Sequence, residues 1–237
     1  MDYVEIARAE TERGELVLRE RRPGPDEPGA AAPGLELRAN GVFVMDTVEV
    51  SSERALATAA LAQVASPRAV VVGGLGLGFT MHEVLADARV EVCAVVEVEQ
   101  ALVDWMRDGT IPHGPALLAD QRVRIVVADV AVAVAEARAA SYDLVLLDVD
   151  NGPGYLVHDA NAALYARPFL ASVRAALRPG GAVAVWSAAP APDLEATLGA
   201  VFPHTRAVPL DVRLQERDEQ YWLYVGSLEE GDESDEG

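Results

Sequence analysis

Residues 70–79 read Val70-Val71-Val72-Gly73-Gly74-Leu75-Gly76-Leu77-Gly78-Phe79. An apolar run that ends in closely spaced glycines is typical of a strand, buried on both faces, that turns directly into a helix. Gly74, Gly76 and Gly78 allow the main chain to approach a ligand, and the next helix would present unpaired N–H groups. Because the dinucleotide fingerprint needs its third glycine where Phe79 stands, the spacing favours a nucleotide of the S-adenosylmethionine kind over NAD. A turn that binds no ligand is the alternative.

From Ala69 onward, apolar strand patterns alternate with helical patterns. The predicted strands lie at 69–72, 90–96, 123–127, 142–147, 182–186, 206–209 and 220–225. The predicted helices between them lie at 78–86, 100–107, 131–139, 168–177 and 192–202. Repeated strand–helix units of this kind predict an α/β fold with a doubly wound, seven-stranded and mostly parallel sheet.

The segment before residue 50 predicts a small β appendage. Residues 35–38 and 42–45 flank Ala39-Asn40-Gly41, and an Asn-Gly pair favours the positive φ angles of a tight hairpin. Ser51 or Ser52 then caps a helix that reaches about residue 65. The predicted organisation is a β appendage over 1–50, an α/β domain over 51–228 and a disordered acidic tail over 229–237.

The composition excludes several kinds of chemistry. All 19 basic residues are arginine, so Schiff-base and P-loop lysines are excluded. The net charge of −19 repels nucleic acid, and no nucleic-acid partner is predicted. Cys93 is the single cysteine, and the four histidines show no metal-ligand spacing, so no metal is predicted. Neither a transmembrane run nor a signal-peptide pattern is present, which predicts a cytoplasmic protein without membrane contact.

Two acids follow predicted strands where a nucleoside would lie. Glu97 ends the second strand of the repeat, 19 residues after Gly78, where a carboxylate can accept hydrogen bonds from both ribose hydroxyls. Glu99 is a rival for that role. Asp129 follows the third strand and can accept from an adenine amine, although it also suits the N-cap of the next helix. A solvated acid at a strand end is the alternative for Glu97.

Polar residues cluster after the fourth strand of the repeat, in the run from Asp148 to Tyr155. Asp148 and Asp150 are close enough in sequence to perturb each other's ionisation, and an Asp at this edge can orient or deprotonate an attacking amine or hydroxyl. Asn151 and Tyr155 are predicted to shape the pocket of a small-molecule acceptor. Ordinary turn chemistry is the alternative, because Asp, Asn, Gly and Pro also dominate loops.

The order of these motifs resembles the spermidine synthase family, which has the class I methyltransferase fold. The similarity runs from about Leu35 to Val225 and includes the hairpin, the glycine turn, Val96-Glu97, Ala128-Asp129 and Leu177-Arg178-Pro179-Gly180-Gly181. The resemblance implies that one set of residues binds S-adenosylmethionine or its decarboxylated form: Gly74, Gly76, Gly78, Glu97 and Asp129. It also implies that Asp148 is the catalytic acid, and that the protein forms a homodimer through the hairpin.

The chain departs from the family pattern at the polyamine site. The glycine turn lacks the family's aspartate, the second acid of the synthases aligns with Asn151, and their Tyr-Gln-Glu run falls near Ser52-Glu53-Arg54 without the Tyr. Asp150 is the candidate substitute for the lost acid. The main hypothesis is methyl transfer from S-adenosylmethionine to a small molecule, although the missing Tyr and the altered acid pair slightly favour a role without catalysis. Aminopropyl transfer to a polyamine and a non-catalytic nucleoside-binding role are the alternatives.

Overall fold

The structure, a computed structural model, describes residues 2–22, 34–48, 50–150, 152–214 and 217–229. Its first sheet is antiparallel and consists of β1 (Asp2–Thr11), β2 (Gly14–Arg22), β3 (Gly34–Ala39) and β4 (Val42–Asp46), paired in that order. The predicted hairpin joins β3 to β4, and Asn40 and Gly41 have φ angles of 51° and 76°. The predicted acidic tail lies outside the described residues from Glu230 onward.

The N-terminal sheet is larger than the hairpin that the sequence predicts. β1 and β2 were missed as a strand pair because β1 carries charged and exposed side chains along most of its length. The inner side of the sheet is nevertheless apolar, since Leu16, Leu18 and Leu37 are buried against the main core. This N-terminal sheet therefore packs onto the rest of the protein through a hydrophobic face.

The second sheet has seven strands, as the sequence predicts. They are β5 (Ala69–Gly73), β6 (Val92–Glu97), β7 (Val123–Val127), β8 (Tyr142–Leu147), β9 (Leu177–Ser187), β10 (His204–Leu214) and β11 (Arg217–Ser227). The spatial order is β10-β11-β9-β8-β5-β6-β7, with β5 to β9 parallel and β11 antiparallel to both of its neighbours. The predicted α/β, doubly wound and mostly parallel sheet is confirmed.

Helices cover both faces of this sheet. They are α1 (Ser51–Leu61), α2 (Phe79–Ala86), α3 (Gln100–Asp108), α4 (Gly114–Leu118), α5 (Val130–Ala135), α6 (Arg167–Ala176), α7 (Pro192–Gly199) and a 3-10 helix, Asp159–Tyr165. One core cluster holds Leu56, Met81 and Val103 from α1 to α3, and a second holds Leu170 and Leu198 from α6 and α7. The inner strands are buried on both faces, which explains their continuous apolar runs.

One predicted turn is part of a strand. Residues 178–181 read as a Pro-Gly turn, yet β9 already begins at Leu177. Gly180 adopts a φ of 73° and its N–H donates to the carbonyl of Glu229 at 2.7 Å, while the pairing of β9 with β8 shifts register after Tyr142. A bulge thus absorbs the glycines without ending the strand.

The order of the strands fixes where a ligand can bind. The chain leaves β5 toward β6 and β7 on one side, then returns to place β8 on the other side. Open α/β sheets bind ligands at such a switch point, in the crevice outside the carboxyl ends of the strands. The loops that follow β5 and β8 lie at this switch point.

Candidate active site

A cavity of about 480 Å³ lies at the carboxyl ends of β5, β6 and β8. Gly74 and Gly76 line it from the glycine turn, Glu97 from the end of β6 and Asp148 from the loop after β8. The N-terminal sheet supplies the opposite wall, with Leu37, Phe43 and Met45 among the lining residues. The volume lies within the range of small-molecule sites, and both sheets contribute to it.

The glycine turn joins β5 to α2 tightly, as its sequence predicts, because its glycines adopt positive φ angles and lie against other atoms of the protein. Gly74, Gly76 and Gly78 have φ angles of 98°, 49° and 86°. A Cβ at Gly74 would lie 2.3 Å from the carbonyl oxygen of Asp148, and one at Gly76 would lie 2.7 Å from the sulfur of Met45. Only glycine fits these positions, because protein atoms occupy the space that a side chain would need.

Gly78 differs from the other two glycines. It is the N-cap residue of α2, and a Cβ there would meet the methyl group of Met106 at 2.9 Å, on the core side of the turn. It is not among the described residues that line the cavity. The structure therefore brings Gly74 and Gly76 to the site, while Gly78 supports the turn from behind.

Glu97 is fixed in the cavity wall by main-chain groups. Its side chain accepts from the N–H of Leu75 in the glycine turn and from the N–H of Glu99, each at 2.8 Å. Burial, which leaves the residue 7% exposed, raises the pKa of this carboxyl, and the two main-chain hydrogen bonds oppose the rise. Each carboxylate oxygen keeps a lone pair, so the group can still accept from a ligand's vicinal hydroxyls.

The other two predicted nucleoside contacts also line the cavity. Glu99 faces the N-terminal sheet, where it lies 3.4 Å from the Thr11 hydroxyl and 3.7 Å from Arg13. Asp129 caps α5, because its carboxylate accepts from the N–H of Ala131 at 2.7 Å. The N-cap role that the sequence left open for Asp129 is therefore confirmed, and its contact with an adenine amine stays a prediction.

Asp148 lies directly after β8, beside the glycine turn. Its carboxylate accepts a 2.6 Å hydrogen bond from the hydroxyl of Thr80 on α2, and its N–H donates to the carbonyl of Gly73. Burial raises the pKa of this carboxyl, and the bond from Thr80 partly offsets the rise. A carboxyl in this setting can hold or accept a proton near neutral pH more readily than an exposed one.

The remaining predicted site residues are Asp150, Tyr155 and Asn151. Asp150 lines the cavity, but its two carboxylate oxygens accept from the N–H of Val157 at 3.0 Å and from the Asn161 amide at 2.9 Å. It therefore shapes the loop that follows β8. Tyr155 is 62% exposed and is not among the described lining residues, so the structure does not bring it to the cavity. Asn151 lies outside the described residues.

The structure adds residues that sequence reasoning missed. Trp186 at the end of β9 and Tyr221 on β11 form an edge-to-face pair in the cavity wall, with ring centroids 4.4 Å apart. Arg13, in the turn between β1 and β2, donates to the Asn161 side-chain oxygen at 3.1 Å. These residues come from segments far apart in the chain. Only Trp186 carried a signal, its place at a strand end.

Glu53 was not predicted as a site residue, although the family's Tyr-Gln-Glu run falls near it. It lies in the first turn of α1, lines the cavity and accepts a 2.7 Å hydrogen bond from the hydroxyl of Ser52. Burial raises its pKa from the usual 4.5 to about 7, and the nearby charge of Asp148 adds to the rise. Its neighbour Arg54 is exposed and not part of the described lining, so its charge does not face the cavity.

The lining of the cavity is rich in acidic residues. Nine described lining residues are acidic: Glu15, Asp46, Glu53, Glu97, Glu99, Asp129, Asp148, Asp150 and Glu219. Arg13 is the one arginine in the described lining, and Glu99 already lies close to it. Such a concave, acidic site attracts cations. The described residues include no group of three or more side chains placed to hold a metal ion.

None of the described helices has the length and apolar character that crossing a membrane requires.

The spermine/spermidine synthase domain matches residues 49–197 of the chain. Putrescine N-methyltransferase 3 from Nicotiana tabacum is 35% identical over 125 residues, which cover 52% of this chain and 31% of that protein. Polyamine aminopropyltransferase 2 from Pseudomonas aeruginosa is 35% identical over 123 residues, which cover 50% of this chain and 33% of that protein. The chain thus spans about a third of the length of these curated relatives.

The same fold is found in the crystal structure of a spermidine synthase from Thermotoga maritima. The two structures superpose with a TM-score of 0.75 at 20% identity, over 94% of this chain and 72% of that chain. At this identity the likeness defines the fold, and it extends over the N-terminal sheet as well as the α/β part.

Proposed function

The chain belongs to the spermine/spermidine synthase family, and on that premise we propose that it is a transferase that uses S-adenosylmethionine. The acceptor would be a small amine, and the transferred group a methyl. The observation that carries this proposal is the position of Glu97, which two main-chain N–H groups orient into the cavity beside the glycine turn. A carboxylate held in this way suits the vicinal hydroxyls of a ribose.

The residues present fit a sulfonium nucleoside. Gly74 and Gly76 open the main chain toward the cavity, and Asp129 lies on the β7 side, where it can meet a base amine. Acidic side chains dominate the lining, which favours a positively charged donor. When bound, the donor supplies an electrophilic carbon on sulfur, so placement of the nucleophile contributes most of the rate.

Asp148 is the proposed catalytic residue. The amine nitrogen forms a bond to the methyl carbon, the carbon–sulfur bond breaks, and its electron pair stays on a neutral thioether. The proton that the amine loses passes to the carboxylate of Asp148, whose orientation Thr80 fixes. The relatives' names include putrescine and polyamine, and an acidic cavity suits such cationic acceptors.

Aminopropyl transfer from decarboxylated S-adenosylmethionine is the second candidate. The described lining offers one arginine, and Glu99 and Asn161 already contact it. A donor without a carboxylate would therefore leave no anion unpaired in this cavity. Methyl transfer is preferred because the glycine turn has lost the aspartate that the synthases carry there.

Isothermal calorimetry tests the proposal. S-adenosylhomocysteine and methylthioadenosine, the two products left by the donors, are titrated separately into the protein. The product that matches the true donor should bind more tightly, and at equal concentration it should stabilise the fold more. The enzyme hypothesis fails if neither product binds. Binding without turnover of any amine would support a nucleoside-binding role without catalysis.

We also propose where the protein is located and how it assembles. Cys93 is free and buried, and burial raises the pKa of its thiol to about 12, which disfavours the reactive thiolate. A single free cysteine fits the cytoplasmic location that we propose. We expect a homodimer that associates through the N-terminal sheet. Light scattering measures the oligomeric state, and a monomeric mass at micromolar concentration would contradict the dimer.

A further inference from the structure

The sheet order separates the cavity into two ends. Glu97 lies on the β6 side of the glycine turn, whereas Trp186 and Tyr221 lie on the β9 and β11 side. Asp148 follows β8, between the two. If the proposed function holds, the nucleoside occupies the β6 side, and the acceptor extends from Asp148 toward the aromatic pair.

The acceptor end needs a second negative charge if it binds a diamine. Asp150 serves the loop after β8, because the N–H of Val157 and the amide of Asn161 orient its two carboxylate oxygens within that loop. Position 151 carries a neutral asparagine. An acid on another segment of the chain can supply a second charge, and Asp46, Glu53 and Glu219 also line the cavity.

Glu53 is placed to supply that charge. The helix that carries it, α1, packs against β8, β9 and β11, which are the strands of the acceptor end. The carboxyl lines the same cavity as Asp148, and the two are near enough for their charges to interact. Two anions that repel each other in a partly buried cavity are stabilised together when a cation binds between or beside them.

We infer that Glu53 is a specificity-determining residue that binds the ammonium group of the acceptor that does not react. Asp148 then faces the amine that does react. The carbon chain between the two amines packs on the Trp186–Tyr221 pair, whose ring faces and edges provide an apolar wall. This inference rests on the proposed function and assigns to α1 a role that the altered loop after β8 has lost.

Steady-state kinetics with two acceptors tests the inference. Putrescine carries both ammonium groups, whereas butylamine carries only the reacting one. In Glu53→Gln we expect kcat/KM for putrescine to fall about 10- to 100-fold, mainly through KM, since a hydrogen bond to a charged group is lost. The value for butylamine should change less than about 2-fold.

The control variant is Glu83→Gln. Glu83 lies on α2, outside the described lining, and its carboxylate accepts from Thr58 of α1, so it probes the packing of α1 without touching the cavity. It should keep the wild-type preference for putrescine. Binding of S-adenosylhomocysteine should be equal in all three proteins.

Each further outcome has a defined meaning. An equal loss of activity toward both amines in Glu53→Gln would overturn the inference, since Glu53 would then serve catalysis or stability in general. Unchanged kinetics would also overturn it. If the wild-type protein binds neither nucleoside product, the proposed function fails first, and the failure is visible before any amine is added.

Discussion

The two ends of the cavity hold their carboxylates in different ways. At the nucleoside end, main-chain N–H groups bind the acids: Leu75 and Glu99 donate to Glu97, and Ala131 donates to Asp129. At the acceptor end, side-chain hydroxyls contact Asp148 and Glu53. Main-chain donors fix the orientation of a carboxylate, and at Glu97 they oppose the rise in pKa that burial causes. Burial raises the pKa of Asp148 and Glu53 as well, and their single hydroxyl donors leave these acids suited to proton transfer and to binding a cation.

The largest effect should come from Asp148→Asn. An amide cannot accept the proton of the attacking amine, so we expect kcat to fall about 10²- to 10⁴-fold. The affinity for the nucleoside product should change little, because Glu97 and Asp129 remain. Asp150→Asn is the matched control and should retain much more activity. Full turnover by Asp148→Asn would remove the distinction between the two ends.

Glu97→Ala should produce the next largest effect, at the other end. It removes the proposed partner of the ribose and leaves the N–H groups of Leu75 and Glu99 without their acceptor. We expect the affinity for S-adenosylhomocysteine to fall about 10- to 100-fold, measured by calorimetry. Glu99→Gln should lower it less than about 5-fold. The reverse ranking would assign the ribose to Glu99.

A smaller effect is expected on the pH dependence of stability, to which Glu53 at the acceptor end should contribute. Glu53 binds its proton more tightly in the folded state, with a pKa of about 7 against the usual 4.5. The folded state therefore loses stability relative to the unfolded state as pH rises across this window. Compared with Glu53→Gln, the wild-type melting temperature should fall by at least about 2 °C between pH 5 and pH 8.

Putrescine extends this measurement. A cation bound at Glu53 favours the ionised carboxylate, so saturating putrescine at pH 8 should restore part of the lost stability of the wild type. The Glu53→Gln variant should respond less. Parallel melting curves for both proteins at every pH would show that Glu53 titrates normally.

The smallest effect is expected for Tyr155→Ala. The side chain is largely exposed and lies away from the described lining, so kcat/KM for the acceptor should change less than about 2-fold. A 10-fold loss would mean that the loop after β8 closes over the acceptor during the reaction.

The sequence predicted the nucleoside end better than the acceptor end. Glu97, Asp129 and the glycine turn follow consecutive strands, and the carboxyl ends of parallel strands meet at one edge, so periodicity alone assembles them. Glu53 and Tyr221 belong to α1 and β11, and no local pattern indicates that these elements meet over one cavity. Asp150 was predicted to be a site residue, but its carboxylate accepts hydrogen bonds within the loop after β8. A position in a sequence motif does not reveal such contacts.

The fold was predictable for the same reason. Buried parallel strands leave continuous apolar runs, which the sequence displays from Ala69 onward. The N-terminal sheet was underestimated because β1 is mostly exposed, and its pairing with β2 depends on contacts rather than on a hydrophobic alternation.

The contact between Met45 and the glycine turn has a consequence for how much of the chain makes up the working unit. The sulfur of Met45 fills the space above Gly76 and accepts from the N–H of Leu77 at 3.1 Å. The segment that matches the family begins at residue 49, after Met45. A protein trimmed to the matched segment would lose both the N-terminal sheet and β11, and each of them contributes to the cavity wall. The segment that identifies the family is therefore shorter than the part of the chain that must fold to bind a substrate.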